Sequence, residues 1–378
     1  MSQKKNYMFT PGPTMVPQEV QLAEAQPMIH HRTDQFSGIL QRVCDRLKKL
    51  YGTEQDVYTI MGTGTAAMEA AVANVCSPGD TVICAPAGKF GMRWAEICET
   101  YGCEVVNIDI EWGQSLTADM VRGALEENPG ARALYMTHCE TSTGALSDVE
   151  EIAAVTRQTD TLLAVDAITS IGVHPYRMDD WGVDITVCGS QKGCMVPPGL
   201  SFIAASERSW NVIEACESPA YYLDLVAMRD KWTEHQTPYT GGVTLVRALD
   251  RALEMMFEEG LETVYERHAT LAKATRAAVD ALGLELVADN PANCVTAAYG
   301  PEGMDTGDLK STMMDDYGVT IAGGQKHLSG KIIRLGHMGY VSEEDLLVLL
   351  GTLERALKDH DYDFDYGSGV AAAMDVLA

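Results

Sequence analysis

Two side chains in this sequence make a pair with a recognisable chemistry. Lys192 lies in Gly189-Ser190-Gln191-Lys192-Gly193, between the apolar runs 184–188 and 200–204. An amine placed where the chain leaves a buried sheet loses its water. Its pKa falls, and a neutral nucleophile becomes available to form a Schiff base with a carbonyl. One strand earlier, the run 162–166 ends on Asp166. Pyridoxal 5'-phosphate needs both groups, a lysine for its aldehyde and an acid for its ring nitrogen. Taken singly, Lys192 can snorkel to solvent and Asp166 can cap the segment from Ile168 onward. The position of the acid, one β-unit before the lysine, favours the paired reading.

The elements that must position this pair are legible as runs. Residues 57–60, 81–85, 104–108, 133–137, 162–166, 185–188 and 200–204 are rich in Val, Ile and Leu without polar alternation, as in a sheet buried on both faces. Helical stretches over 65–76, 91–101 and 149–159 separate many of them. The pattern predicts an α/β fold with a mostly parallel seven-stranded sheet, whose ligands bind beyond the carboxyl ends of the strands. Residues 244–281 read as long amphipathic helix. Beyond them, short strands over 284–288, 295–298 and 332–335 mix with two or three helices. We therefore expect a large α/β domain over 1–259, with an N-terminal arm over 1–15, and a smaller C-terminal α+β domain over 260–378.

The segment Met61-Gly62-Thr63-Gly64-Thr65-Ala66-Ala67 follows the first of these strands and opens a helix. Small residues admit a ligand to the backbone, and the helix start offers free N–H groups and the positive end of a dipole to an anion. Thr63 and Thr65 add hydroxyls. Taken alone, a Gly-Thr turn before a capped helix is the plainer reading. The segment lacks the Gly-Lys-Ser/Thr of a Walker loop and the third glycine of a dinucleotide fingerprint.

Composition narrows the partners. The 378 residues carry a formal net charge of −26, which opposes nucleic acid and anionic membranes. The first residues lack the apolar core of a signal peptide, and no run of about eighteen apolar residues occurs. The ten cysteines are scattered through apolar segments without a CxxC pair, which reads as buried reduced thiols in a cytoplasmic protein rather than disulfides or metal ligands.

Taken in order, a series of motifs resembles the class V aminotransferases of the pyridoxal-phosphate fold-type I superfamily, nearest to the alanine–glyoxylate and serine–pyruvate branch. It runs from Thr10-Pro11-Gly12-Pro13-Thr14 through Gly62-Thr63-Gly64-Thr65, Thr137-His138-Cys139-Glu140-Thr141-Ser142-Thr143-Gly144 and Val165-Asp166-Ala167. Gly189-Ser190-Gln191-Lys192 follows, and Ile333-Arg334-Leu335-Gly336-His337-Met338-Gly339 closes the series. The resemblance implies that Lys192 carries the cofactor aldehyde as a Schiff base and Asp166 binds the ring nitrogen. Thr63, Gly64 and Thr65 would hold the phosphate, with Gln191 beside them. Phe90 would cover the ring, where many relatives have tryptophan or tyrosine, and Thr141 would lie near the phenolic oxygen. Gly12 would bring backbone N–H groups to the substrate, and Arg334 would clamp its carboxylate. Thr240, and more weakly Thr237, would reach the phosphate of a neighbouring subunit, making a homodimer with shared active sites. Gly241-Gly242 stands where relatives commonly carry a proline. His30-His31-Arg32 resembles a segment near the active-site mouth, and His138 and His337 are expected to orient loops or fill space.

The implied reaction moves an amino group from a small L-amino acid, alanine or serine, to a 2-oxo acid, glyoxylate or pyruvate. Aspartate- or 2-aminoethylphosphonate-using relatives are the alternatives. A cysteine desulfurase is further away: Gln191 and Phe90 replace its two histidines, and no cysteine follows Cys294. A non-catalytic subunit with this fold is the alternative from another class, since some close relatives are named as hydrogenase subunits. It predicts decay at the lysine, the acid or the arginine, and all three are intact.

Overall fold

The computed structural model describes residues 5–378. Its strands are β1 (Tyr7–Phe9), β2 (Val57–Met61), β3 (Thr81–Cys84), β4 (Glu104–Asn107), β5 (Ala133–Thr137), β6 (Cys139–Glu140) and β7 (Ala145–Leu146). They continue with β8 (Leu162–Asp166), β9 (Ile185–Gly189), β10 (Leu200–Ala205), β11 (Val295–Tyr299), β12 (Val319–Gly323) and β13 (Ile332–Gly336). The main sheet has seven strands in the order β2-β10-β9-β8-β5-β3-β4. Only β10 is reversed. It pairs antiparallel with both β2 and β9, so the other six point the same way. All seven expected runs are strands. β5, β8, β9 and β10 are buried along their whole length, which explains why their sequences show no alternation.

Two apolar cores flank this sheet, one on the side of the helix Asp34–Tyr51 and one on the side of the helices Gly64–Ala73 and Lys89–Thr100. Half of the Gly64–Ala73 helix is alanine and seven of its ten residues are buried, which lets its backbone pack close to β9 and β10. The carboxyl ends of β2, β5, β8 and β9 then deliver Gly62, His138, Ala167 and Ser190 to one edge of the sheet.

A second sheet, in the order β1-β12-β13-β11, packs on its own core. The expected long helix over 244–281 is two helices, Val243–Glu259 and Leu261–Ala281. They are broken at Gly260, whose φ of 90° is costly for any other residue. The second of them buries Val264 in the first core and Leu271 and Ala278 in that of the smaller sheet. Two expectations need correction. Residues 284–288 make an isolated bridge, Leu286 to Ala298, because the chain turns away at Asp289-Asn290-Pro291. The N-terminal arm, reckoned with the larger unit, lends β1 to the smaller sheet, where Tyr7 pairs with Val319 and Phe9 with Ile321. Residues 1–4 of that arm lie outside the described residues. No described helix is long and apolar enough to cross a membrane.

Candidate active site

Lys192 sits in the connection between β9 and β10, and this loop is closed on itself. Ser190 Oγ donates to the Pro197 carbonyl (2.8 Å) and accepts from the Leu200 N–H (3.3 Å). The N-terminal segment braces the lysine from outside. Thr14 donates its N–H to the Gln191 carbonyl (3.1 Å) and its hydroxyl to the Lys192 carbonyl (3.1 Å). Lys192 Nζ donates to the Pro11 carbonyl. A Cβ on Gly12 would lie 2.3 Å from Lys192 Cε and Nζ, and Gly12 has a φ of 129°, so this position takes glycine for both space and conformation. Only 8 % of Lys192 is exposed. Desolvation lowers its pKa to about 8, partly opposed by the charges of Cys294 and Asp166.

Asp166 ends β8, beside β9 in the sheet. Its Oδ1 accepts from the Ile168 N–H (2.8 Å), so the acid does cap the following turn. Oδ2 has no protein partner among the described residues. Burial raises the carboxyl pKa to about 7 against the opposing pull of that hydrogen bond. Such an acid is well placed to share a proton with a buried ring nitrogen.

Lys192 and Asp166 share a cavity of about 260 Å³ with Gly12, Thr63, Gly64, Thr65, Phe90 and Gln191, eight of the residues singled out from sequence. At one end, the helix Gly64–Ala73 begins with Thr63 as its N-cap, and no side chain satisfies its first N–H groups. A Cβ on Gly64 would meet Ile168 Cδ1 at 2.3 Å. Gln191 Oε1 is buried without a hydrogen-bond partner. Phe90 lies in the wall, its ring centroid 6.0 Å from Lys192 Nζ.

Arg334, on β13, is not among the residues that line this cavity, although its charge acts on Lys192. It is 7 % exposed; its Nε donates to the Gly323 carbonyl (2.8 Å) and its Nη1 to the Thr141 carbonyl (2.9 Å). Among the described residues no carboxylate forms a salt bridge with it. Burial lowers its pKa to about 10, a cost on the order of 3 kcal/mol to the charged form that an arriving carboxylate would offset. Thr141 is one layer back from the cavity. Its hydroxyl is bonded to that of Thr169 (2.7 Å), and Thr169 lines the wall instead.

Thr237 and Thr240 are elsewhere, in a groove with Met61, Tyr222 and Tyr239. Their loop is tied down by Arg32, whose guanidinium donates to Gln236 Oε1 (3.0 Å) and to the carbonyls of Thr237 (2.6 Å) and Pro238 (3.0 Å). His268 and His337 serve structure. His268 Nδ1 donates to the Val264 carbonyl while Nε2 accepts from the Gly339 N–H, and His337 Nε2 bonds the Thr296 hydroxyl. Burial holds His138, His268 and His337 neutral, each with a pKa of about 3.

Two residues escaped the sequence reading. Glu140 is buried and accepts from the N–H groups of Phe90 (3.1 Å), Gly91 (2.9 Å) and Ser142 (3.0 Å) and from the Ser142 hydroxyl (2.5 Å). It anchors the helix that carries Phe90 by binding its exposed N–H groups. Desolvation raises its pKa in spite of those bonds. Arg93 lies one turn after Phe90 on that helix and also lines the cavity. The i,i+3 spacing from Phe90 was the signal that could have found it. Behind the site, Cys139 and Cys294 place their sulfurs 2.8 Å apart, both buried.

Known proteins match this architecture along nearly its full length. The chain is 41% identical to the small subunit of a soluble hydrogenase from Synechococcus, covering 100% of this chain and 99% of that protein. It is 37% identical to the L-aspartate–glyoxylate aminotransferase of Paracoccus denitrificans, over 98% of this chain and 96% of that one. The crystal structure of ureidoglycine–glyoxylate aminotransferase from Bacillus subtilis superposes with a TM-score of 0.93 at 32% identity, covering 100% and 99% of the two chains. The class V aminotransferase profile matches residues 6–349. With the six co-directed strands, the lysine–acid cavity and these matches in hand, the chain belongs to the class V aminotransferases, a family of pyridoxal-phosphate-dependent transaminases.

Proposed function

We propose that this transaminase takes its amino group from a small uncharged L-amino acid, alanine or serine, and passes it to glyoxylate or pyruvate, with Lys192 as the lysine that holds the cofactor. The observation that carries the reading is one cavity containing a desolvated lysine, an acid with a free oxygen and an uncapped helix start. The residues fit pyridoxal phosphate on this structure's own terms. Asp166 Oδ2 and Gln191 Oε1 lack partners, the helix N–H groups at Gly64 and Thr65 are free, and Gly12 and Gly64 are positions that a side chain would fill.

When bound, the cofactor supplies an aldehyde for the amine and a ring that withdraws electrons from the substrate's Cα. Lys192, which the Pro11 carbonyl holds here, would be the residue that binds the aldehyde and, as a free amine, would take and return the proton at the substrate's Cα. A pKa near 8 suits that task at neutral pH. Asp166 holds the proton on the ring nitrogen. Thr63, Gly64 and Thr65 bind the phosphate with Gln191 beside them, Phe90 covers a ring face, and Thr141 supports that wall through Thr169. Arg334 orients the substrate carboxylate, and the Gly12 backbone closes over it.

Two further points complete the reading. A homodimer is the natural arrangement for Thr237 and Thr240, which lie outside the Lys192 cavity in a groove with the exposed side chains of Met61 and Tyr222. A neutral donor is favoured because Arg32, the arginine of the segment expected at the active-site mouth, is committed to Gln236 Oε1 and the carbonyls of Thr237 and Pro238. Aspartate is the competing donor, supported by the name of the Paracoccus relative. A hydrogenase-subunit role, from the name of the Synechococcus relative, is disfavoured by the intact Lys192, Asp166 and Arg334. The desulfurase reading needs an accessible cysteine near the site, and Cys139 and Cys294 are fully buried there.

Borohydride treatment with pyridoxal phosphate, followed by peptide mapping, should place a pyridoxyl group on Lys192. A group found on another residue would end the proposal. Single half-reactions with alanine, serine and aspartate then rank the donors, and a preference for aspartate would overturn the neutral-donor assignment.

A further inference from the structure

Arg93 is a cation in the cavity wall to which the reading above gives no task. It and Lys192 are the two cationic side chains lining that cavity among the described residues. Its Nη1 donates to Thr65 Oγ1 at 3.0 Å, and its Cζ lies 4.9 Å from the Phe90 ring centroid. Among the described residues it has no salt bridge, although the chain carries 54 acidic residues against 28 Lys and Arg. A guanidinium held free of carboxylates, beside an uncapped helix start, keeps its charge for an anion.

The direction of the Arg93–Thr65 bond carries the argument further. A hydroxyl has one hydrogen to donate and two lone pairs to accept with. Because Thr65 Oγ1 accepts from a guanidinium, which can only donate, its own hydrogen must point elsewhere. Next to the free N–H groups of Gly64 and Thr65, it becomes one more donor for the same anion. We propose that Arg93 is a positioning residue for the cofactor phosphate: it fixes the Thr65 hydroxyl as a donor and supplies the positive charge on that side of the cavity. The inference rests on the functional reading above and extends it to a residue on a different helix.

The test separates phosphate recognition from packing. Dissociation constants of the cofactor-free full-length protein are measured for pyridoxal phosphate and for pyridoxal, which lacks the phosphate, in wild type and in Arg93→Gln. Binding of pyridoxal phosphate should weaken about tenfold or more, as for a lost charge-assisted hydrogen bond. Binding of pyridoxal should stay within about twofold of wild type. Thr65→Val should produce the same selective loss, and the double variant should lose little more. Arg93→Met, which keeps the stem over Phe90, carries the same measurement if Arg93→Gln does not fold. Equal weakening of both ligands would mean that Arg93 acts through packing, and no weakening of either would mean that it does nothing here. Either result overturns the proposal. If wild type bound neither aldehyde, the functional reading would fall and take this inference with it.

Discussion

The loop that carries Lys192 and the loop that carries Thr237 and Thr240 are built on opposite plans. The first links two paired strands, closes on Ser190, is braced by Thr14 and is buried at 190 and 192–196. The second is half-exposed, carries adjacent glycines at 241 and 242, and is fastened chiefly by one arginine from a distant segment. Groups that must be desolvated before they react are fixed by backbone bonds of the chain itself. Groups outside the Lys192 cavity are left to be fixed by something else. The contrast teaches that the two sets of predicted ligands answer to different forces, and mutation should separate them.

The largest effect should fall on the first loop. Lys192→Ala should lower turnover by a factor on the order of a thousand or more, measured by single-turnover spectroscopy, while the protein stays folded. Residual activity near that of wild type would remove the distinction between the loops. Arg334→Gln should come next, raising KM for the amino acid by about ten- to a hundredfold with a smaller change in kcat. Arg32→Ala probes the second loop. It should weaken cofactor retention by about three- to tenfold and shift the protein toward monomer in sedimentation, because the loop loses three bonds while the Lys192 cavity is untouched. A loss as severe as that of Lys192→Ala would show that the two loops form one unit.

The smallest effect is a pH dependence confined to the first region. In the cofactor-free protein Asp166 has its pKa raised from 3.8 to about 7. Between those values the folded state binds the extra proton, so stability falls as pH rises through that window. Lys192, lowered from 10.5 to about 8, acts in the other direction. The unfolded state binds the extra proton there, and stability rises from about pH 8 upward. Asp166→Asn should flatten the acidic slope in urea titrations across pH, whereas Arg32→Ala should leave it in place. A slope that survives in Asp166→Asn would assign it to another buried acid, Glu140 being the first candidate.

The sequence was most legible where burial is uniform. The runs at 133–137, 162–166 and 185–188 could only be strands covered on both faces, and that reading put Asp166 and Lys192 on one sheet edge. What escaped depends on contacts that leave no local mark. Glu140 is an acid in an ordinary polar stretch, and its meaning comes from N–H groups on a helix that begins at Lys89. β1 has three residues, too few to show a period, and its partner Val319 lies near the other end of the chain. Thr141 was expected beside the cofactor, yet its hydroxyl bonds that of Thr169, and Thr169 rather than Thr141 lines the cavity. Position along a strand is written in apolar periodicity, whereas the second layer of a polar network is written only in three dimensions.

The placement of β1 has a consequence for how a newly made chain matures. Residues 10–14, which lie over Lys192, are anchored on one side by a strand that pairs with 319–321. A ribosome releases the amino terminus first, but that strand has no partner until most of the polypeptide has emerged. Until then the amine at position 192 stands without the cover that Pro11 and Gly12 give it. The pairing of β1 with β12 is therefore also the step that brings residues 10–14 over Lys192.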